Sequence, residues 1–209
     1  EIPAAWTMIE VDVTGMVNYR AAHRKAFEQD QDIPLTYLPF AAHVIARALI
    51  ANPMINSRWN ENHIVLNKHV NLGIAVSTDA GLIVPVIHGA EALTVTELAL
   101  RAQGLGESAR LGTLNIADVQ GGTFTLDNTG ALGSIISVPI VNYPQAAIIT
   151  TEAIKKRPVV LDRDAIVVRS IMNVCMTFDH RVCDGADVGR FLTDVRVGLE
   201  AISETSALL

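Results

Sequence analysis

The segment Ile171-Met172-Asn173-Val174-Cys175-Met176-Thr177-Phe178 runs directly into Asp179-His180-Arg181-Val182-Cys183-Asp184-Gly185, and a helix-period pattern follows it. A short, mostly apolar run of this kind reads as a buried strand. Val188, Phe191, Leu192, Val195, Leu199 and Ile202 then recur at the spacing of one helix face. A buried strand and an amphipathic helix joined by a tight turn bury their apolar surfaces as layers of one sheet-and-helix domain. The same stretch sets His180 at the strand end, where a substrate can reach its imidazole and a carboxylate can organise it.

The rest of the chain mixes both periods. Ile9, Val11 and Val13 alternate with Met8, Glu10 and Asp12 as a half-buried strand, and Thr14 is placed to cap a helix carrying Met16, Val17, Tyr19 and Arg20. A second helix is expected from Thr36 to about Asn52, with Pro39 in the first turn, where a missing N–H costs little. Strands are expected at 64–66, 72–76 and 82–87, the last two joined by the turn Thr78-Asp79-Ala80-Gly81. Thr94 and Glu97 form a capping-box pair opening a helix towards Ala109. Strands at 122–126, 146–150 and 165–169 precede the one at 171–178. No repeat, low-complexity tract or linker divides the chain, and there is no regular βαβ alternation. The expected fold is one α+β domain over residues 1–209, a mixed sheet flanked by helices.

Half of the residues are hydrophobic but only 5% are aromatic, so the core is aliphatic and the apolar surplus points to subunit contacts. A net charge of −6 argues against a nucleic-acid partner. No apolar run reaches the roughly 18–20 residues of a membrane span. The chain opens Glu1-Ile2-Pro3, without initiator methionine, basic n-region or apolar signal core, and reads as a piece of a longer polypeptide. Cys175 and Cys183 are too few for a disulfide framework, which points to a reducing compartment. His23, His43, His63, His69 and His88 lack metal-site spacing, so no metal is expected.

The His-x-x-x-Asp-Gly run with its Asp-His-Arg preface resembles the signature of the dihydrolipoyl acyltransferases of 2-oxo acid dehydrogenase complexes. The likeness extends along nearly the whole chain. Leu35-Thr36-Tyr37-Leu38-Pro39-Phe40, Asn71-Leu72-Gly73-Ile74-Ala75-Val76, Gly81-Leu82-Ile83-Val84-Pro85-Val86-Ile87, Gly121-Gly122-Thr123-Phe124-Thr125-Leu126 and Pro139-Ile140-Val141-Asn142-Tyr143-Pro144 all stand in the family's order. Leu126-Asp127-Asn128-Thr129-Gly130 and Lys156-Arg157-Pro158-Val159-Val160 are most similar to the branched-chain group. The resemblance implies a chloramphenicol acetyltransferase-like fold and a homotrimer with active sites between subunits, built into a cubic or icosahedral cage. It also implies residence in the bacterial cytoplasm or mitochondrial matrix. Lipoyl and peripheral-subunit-binding domains would lie outside this chain, as would the contacts they make to the 2-oxo acid decarboxylase and dihydrolipoamide dehydrogenase.

The implied reaction moves an acyl group between a dihydrolipoyl thiol and coenzyme A. A free thiol of pKa about 8.5 is mostly protonated at neutral pH, so a base that takes its proton speeds attack. His180 is the candidate base; Asp184 either orients it, anchors an arginine or caps the following helix. Many relatives carry serine or threonine where this chain has Asp127. A carboxylate cannot donate a hydrogen bond to an oxyanion unless it is protonated, which makes Asn128 and Thr129 the favoured replacement donors. Thr129 would share the side-chain face of Asp127 if the strand continued. For coenzyme A, the resemblance points to Arg20 against a phosphate and to the hydroxyls of Thr36 and Ser77. Two rival readings stay open: a structural scaffold that has lost turnover, or a small-molecule acetyltransferase using coenzyme A.

Overall fold

The computed structural model describes residues 2–209. In chain order its principal elements are β1 (Ala4–Asp12), α1 (Thr14–Gln31), α2 (Leu38–Ala51), β2 (Ser57–Asn60), β3 (His63–Leu66), β4 (Leu72–Ile74), β5 (Val76–Thr78), β6 (Gly81–Ile83) and β7 (Val86–Ile87). There follow α3 (Val95–Leu111), β8 (Phe124–Asp127), β9 (Ala147–Thr151), β10 (Lys155–Val160), β11 (Ile166–Asp179) and α4 (Gly185–Glu200).

Seven strands form the main sheet in the order β1-β11-β9-β8-β4-β7, with β10 also pairing β11. β8 runs parallel to β4 and β9, and the remaining pairs are antiparallel, so the sheet is mixed as expected. Its two faces differ. Phe124, Leu126, Ala147, Ile149, Met172, Val174, Met176 and Phe178 join the helices in the aliphatic core. The alternate positions Thr125, Thr150, Glu152, Asn173, Cys175 and Thr177 are also buried, yet nearly all are polar. An irregular strap, residues 133–143, covers part of that second face. The Asn173 amide donates to the Ile135 carbonyl (2.7 Å) and the Trp6 indole to the Ser137 carbonyl (2.8 Å). The strap's outer side is strongly apolar: Leu132 just before it is 86% exposed and Ile140 within it 89%. Contiguous apolar exposure of this kind marks an association surface.

Several local expectations need correction. Thr14 caps nothing: its hydroxyl donates to Asp12 (2.5 Å) and accepts from the Ser170 amide (2.8 Å), tying β1 to β11. The stretches 165–169 and 171–178 are one strand, because β10 pairs the first half and β1 and β9 the second. The runs 72–76 and 82–87 each split in two; Val76–Thr78 and Gly81–Ile83 leave the main sheet as a separate hairpin closed at the expected turn. The Thr94–Glu97 capping box forms as read, with the Glu97 amide donating to Thr94 Oγ1 (3.2 Å).

Candidate active site

His180 follows the last residue of β11 and is exposed. Its backbone amide donates to the Pro3 carbonyl (3.0 Å), and its ring lies against that of Phe178 with centroids 5.7 Å apart. The preceding Asp179 is 2% exposed and ion-paired to Arg181 (2.6 Å), whose guanidinium also stands 5.4 Å above the Trp59 ring. Burial works to raise the Asp179 pKa, but the Arg181 bonds outweigh it and hold the carboxyl below its ordinary value. The charged pair locks the turn that carries the imidazole.

Asp184 takes the capping role. Its Oδ1 accepts from the amides of Ala186 (2.8 Å) and Asp187 (2.9 Å), and it makes no hydrogen bond to His180. Those backbone bonds, and the Arg190 and His180 charges further off, lower its pKa. We expect Asp184→Ala to lower the melting temperature by roughly 2–4 °C through loss of the cap, with Asp184→Asn retaining most of it. Calorimetry of the two variants checks this. Cys183 beside it is buried, and burial pushes its thiol up to about 12, so it is no nucleophile.

The remaining candidates gather elsewhere. Thr36, Ser77, Asp127, Asn128 and Thr129 line one cleft of about 510 Å³ between α2, α3 and the β5–β6 hairpin. Arg20, Thr36 and Asn128 line an adjoining cleft of about 420 Å³. The Arg20 guanidinium stacks 4.7 Å above the Tyr37 ring while its Nε donates to the Leu35 carbonyl. β8 ends at Asp127, and residues 129–132 form a 3₁₀ turn, so Thr129 does not continue the strand's alternation. Its hydroxyl instead donates to Glu152 Oε2 (2.8 Å). Asn128 Oδ1 accepts from Thr151 Oγ1 (3.3 Å), which fixes the amide and leaves its NH₂ group for the cleft. A Cβ at Gly130 would overlap the backbone at Glu152 and Ala153, so only glycine lets this turn close onto the end of β9.

Sequence reading missed Glu152. It is 2% exposed, and its Oε1 also accepts from Thr150 Oγ1 (2.7 Å). Burial pushes its pKa up, but hydroxyls of Ser134, Thr150, Thr129 and Ser137 bring it below the ordinary carboxylate value. Asp127 goes the other way, raised first by burial and then by the charge of Glu152.

Strand register sets the distance between the two groups of residues. Asp127 pairs with Thr150, and Thr150 with Cys175. His180 therefore lies about 16 Å further along β11 and about 10 Å across the sheet, roughly 19 Å from Asp127 within one chain. No side chain spans that gap.

Residues 1–207 match the profile of the 2-oxoacid dehydrogenases acyltransferase (catalytic domain) family. The chain is 46% identical over 208 residues to the lipoamide acyltransferase component of the branched-chain alpha-keto acid dehydrogenase complex of Bacillus subtilis, covering 100% of this chain and 49% of that protein. It spans about half the length, or less, of the curated relatives it matches first. Among solved structures it is similar to a probable dihydrolipoamide acetyltransferase from Listeria monocytogenes (TM-score 0.97, 42% identity, 100% of this chain and 89% of that one). The cubic core of the pyruvate dehydrogenase multienzyme complex matches with a TM-score of 0.93 at 30% identity, covering 97% and 83% of the two chains. Chloramphenicol acetyltransferase shares the fold alone, with a TM-score of 0.62 at 14% identity over 95% and 89% of the two chains. With its whole length matched and its mixed sheet superposing on theirs, this chain belongs to the 2-oxoacid dehydrogenase acyltransferase catalytic-domain family.

Proposed function

We propose that this domain transfers acyl groups between a dihydrolipoyl thiol and coenzyme A, with branched-chain acyl groups as the first substrates to test. The observation that carries the reading is the exposed His180 at the end of β11 and a donor-lined cleft roughly 19 Å away in the same chain, a gap that a second copy would bridge. His180 of one subunit takes the proton of the attacking thiol at the mouth of a neighbour's cleft and returns it to the departing thiolate. Thr36 and Ser77 present hydroxyls to the coenzyme arm, and Arg20 presents its terminal guanidinium nitrogens, which bond no described residue, to a phosphate. Asn128 and Asp127 face the thioester oxygen; Thr129 donates its hydrogen bond to Glu152 and supports the turn. Asp184 serves His180 through the cap that fixes its turn.

The exposed apolar strap supports a homotrimer as the bridging assembly, the closed form in which each subunit gives one half-site and receives the other. Mass measurement in solution should return a trimer or a multiple of three, and a stable monomer at micromolar concentration would overturn the shared-site reading. Incubation with dihydrolipoamide and a series of acyl-CoA thioesters tests the reaction: turnover is expected, whereas an assembled but inert protein would favour the scaffold. Among the described residues no helix is long and apolar enough to cross a membrane, and Cys175 and Cys183 are free and buried, in keeping with a reducing compartment such as bacterial cytoplasm or mitochondrial matrix.

A further inference from the structure

Asp127 is a liability as a carboxylate, because negative charge beside the reacting carbonyl opposes the tetrahedral oxyanion. The hydrogen-bond pattern beneath it removes that liability. Asp127, Thr150 and Glu152 share one face of the sheet, since Asp127 registers with Thr150 and Glu152 lies two residues beyond. Glu152 accepts hydrogen bonds from Thr129 on one oxygen and Thr150 on the other. Hydroxyls that donate to a carboxylate stabilise its charged form. Asp127 has no such donor among the described residues, is half-buried, and faces the cleft.

We propose that Glu152 is a positioning residue for acyl transfer: it holds the negative charge of the Asp127–Glu152 pair and so leaves the shared proton on Asp127, which donates it as a hydrogen bond to the thioester oxygen. The proposal rests on the acyl-transfer reading above. No bond to Asp127 forms or breaks. The thiol proton goes to His180 and returns to the leaving thiolate, while the Asp127 proton stays on its carboxyl throughout.

The other ionisable groups facing the pair do not supply an alternative charge partner at close range. From β11, Cys175 is buried, and its thiol is raised by that burial, so it is neutral. From α3, Arg110 lines the same cleft, but its guanidinium folds over Gly106, and it is not among the causes of the Asp127 shift. Arg20 borders the adjoining cleft and is held by Leu35 and Tyr37. The dominant neighbour is Glu152.

The test is the pH profile of kcat/KM for the assembled protein, together with the protonated-carboxyl stretch in infrared difference spectra. Wild type should lose activity as pH rises through the Asp127 titration. Glu152→Gln removes the neighbouring charge, so the proton leaves Asp127 more readily, and the alkaline limb should move to lower pH by about one unit. Asp127→Asn, whose amide donates at every pH, should lose that limb at whatever rate it retains. Asp127→Ala should lower kcat by about 10²–10³-fold. A purely structural Glu152 would lower activity or stability without moving the limb, and that result would overturn the proposal. The spectra decide the matter without turnover. A carboxyl band present in wild type, absent in Asp127→Asn and titrating at lower pH in Glu152→Gln is required. Its absence defeats the proton assignment even where acyl transfer is robust; its presence in a protein without transfer would defeat the acyltransferase reading instead.

Discussion

Replacing His180 by alanine should lower acyl transfer by roughly 10²–10⁴-fold while leaving assembly and melting temperature close to wild type. The side chain is exposed, and the turn beneath it is held by the ion pair of buried Asp179 with Arg181 and by the Asp184 cap, none of which needs the imidazole. The loss should fall on kcat, because the base acts in the transfer step and the coenzyme cleft lies elsewhere. A sharper form of the experiment uses the separation between His180 and the cleft. Chains carrying His180→Ala can be denatured and reassembled with chains carrying Asp127→Ala. In randomly mixed trimers, about one quarter of the sites pair an intact histidine from one chain with an intact cleft from the other. Mixed assemblies should therefore recover about a quarter of wild-type activity, although each parent has lost at least about 10²-fold. If no activity returned, or if unmixed His180→Ala kept its full rate, the shared site would be wrong.

Much of the local structure was legible because it depends on residues a few positions apart. The Thr94–Glu97 box and the apolar period of α4 are of this kind, as is the cap at Asp184. Thr14 failed for the converse reason: its hydroxyl is claimed by Asp12 and by Ser170, the latter 156 residues away. β10 escaped notice because it lies on an exposed flank, where Lys155-Lys156-Arg157-Pro158 need show no apolar alternation. The catalytic candidates were visible as motifs, yet their separation was not, since it follows from strand order and register. Glu152 was hardest to see. In the run Ile148-Ile149-Thr150-Thr151-Glu152 it looks like the polar end of a strand. Only the close approach of the turn at Gly130 and the strap above it turns that end into a buried carboxylate.

The strap's outer face provides the second large effect. Ile140 is 89% exposed, and Leu132, Ile135, Ile136, Val138 and Tyr143 around it are exposed as well. In an isolated subunit this apolar surface meets water; in the proposed trimer it would be buried against a neighbour, at about 25 cal/mol per Å² removed from water. Ile140→Asp forfeits that gain and places a charge where desolvation penalises it. Because Ile140 makes no hydrogen bond among the described residues and lies on an irregular segment, the subunit itself should keep its fold. Assembly should fail, and with it activity, because a lone subunit holds His180 roughly 19 Å from its own cleft. We expect the variant to sediment as a monomer with acyl transfer reduced at least 10²-fold, a loss comparable to removing the base. The two losses differ in one respect. Raising protein concentration should restore activity to Ile140→Asp by mass action and leave His180→Ala unchanged. A monomeric Ile140→Asp protein with the wild-type rate would show that one chain completes the site, and the division of labour between subunits would have to be abandoned.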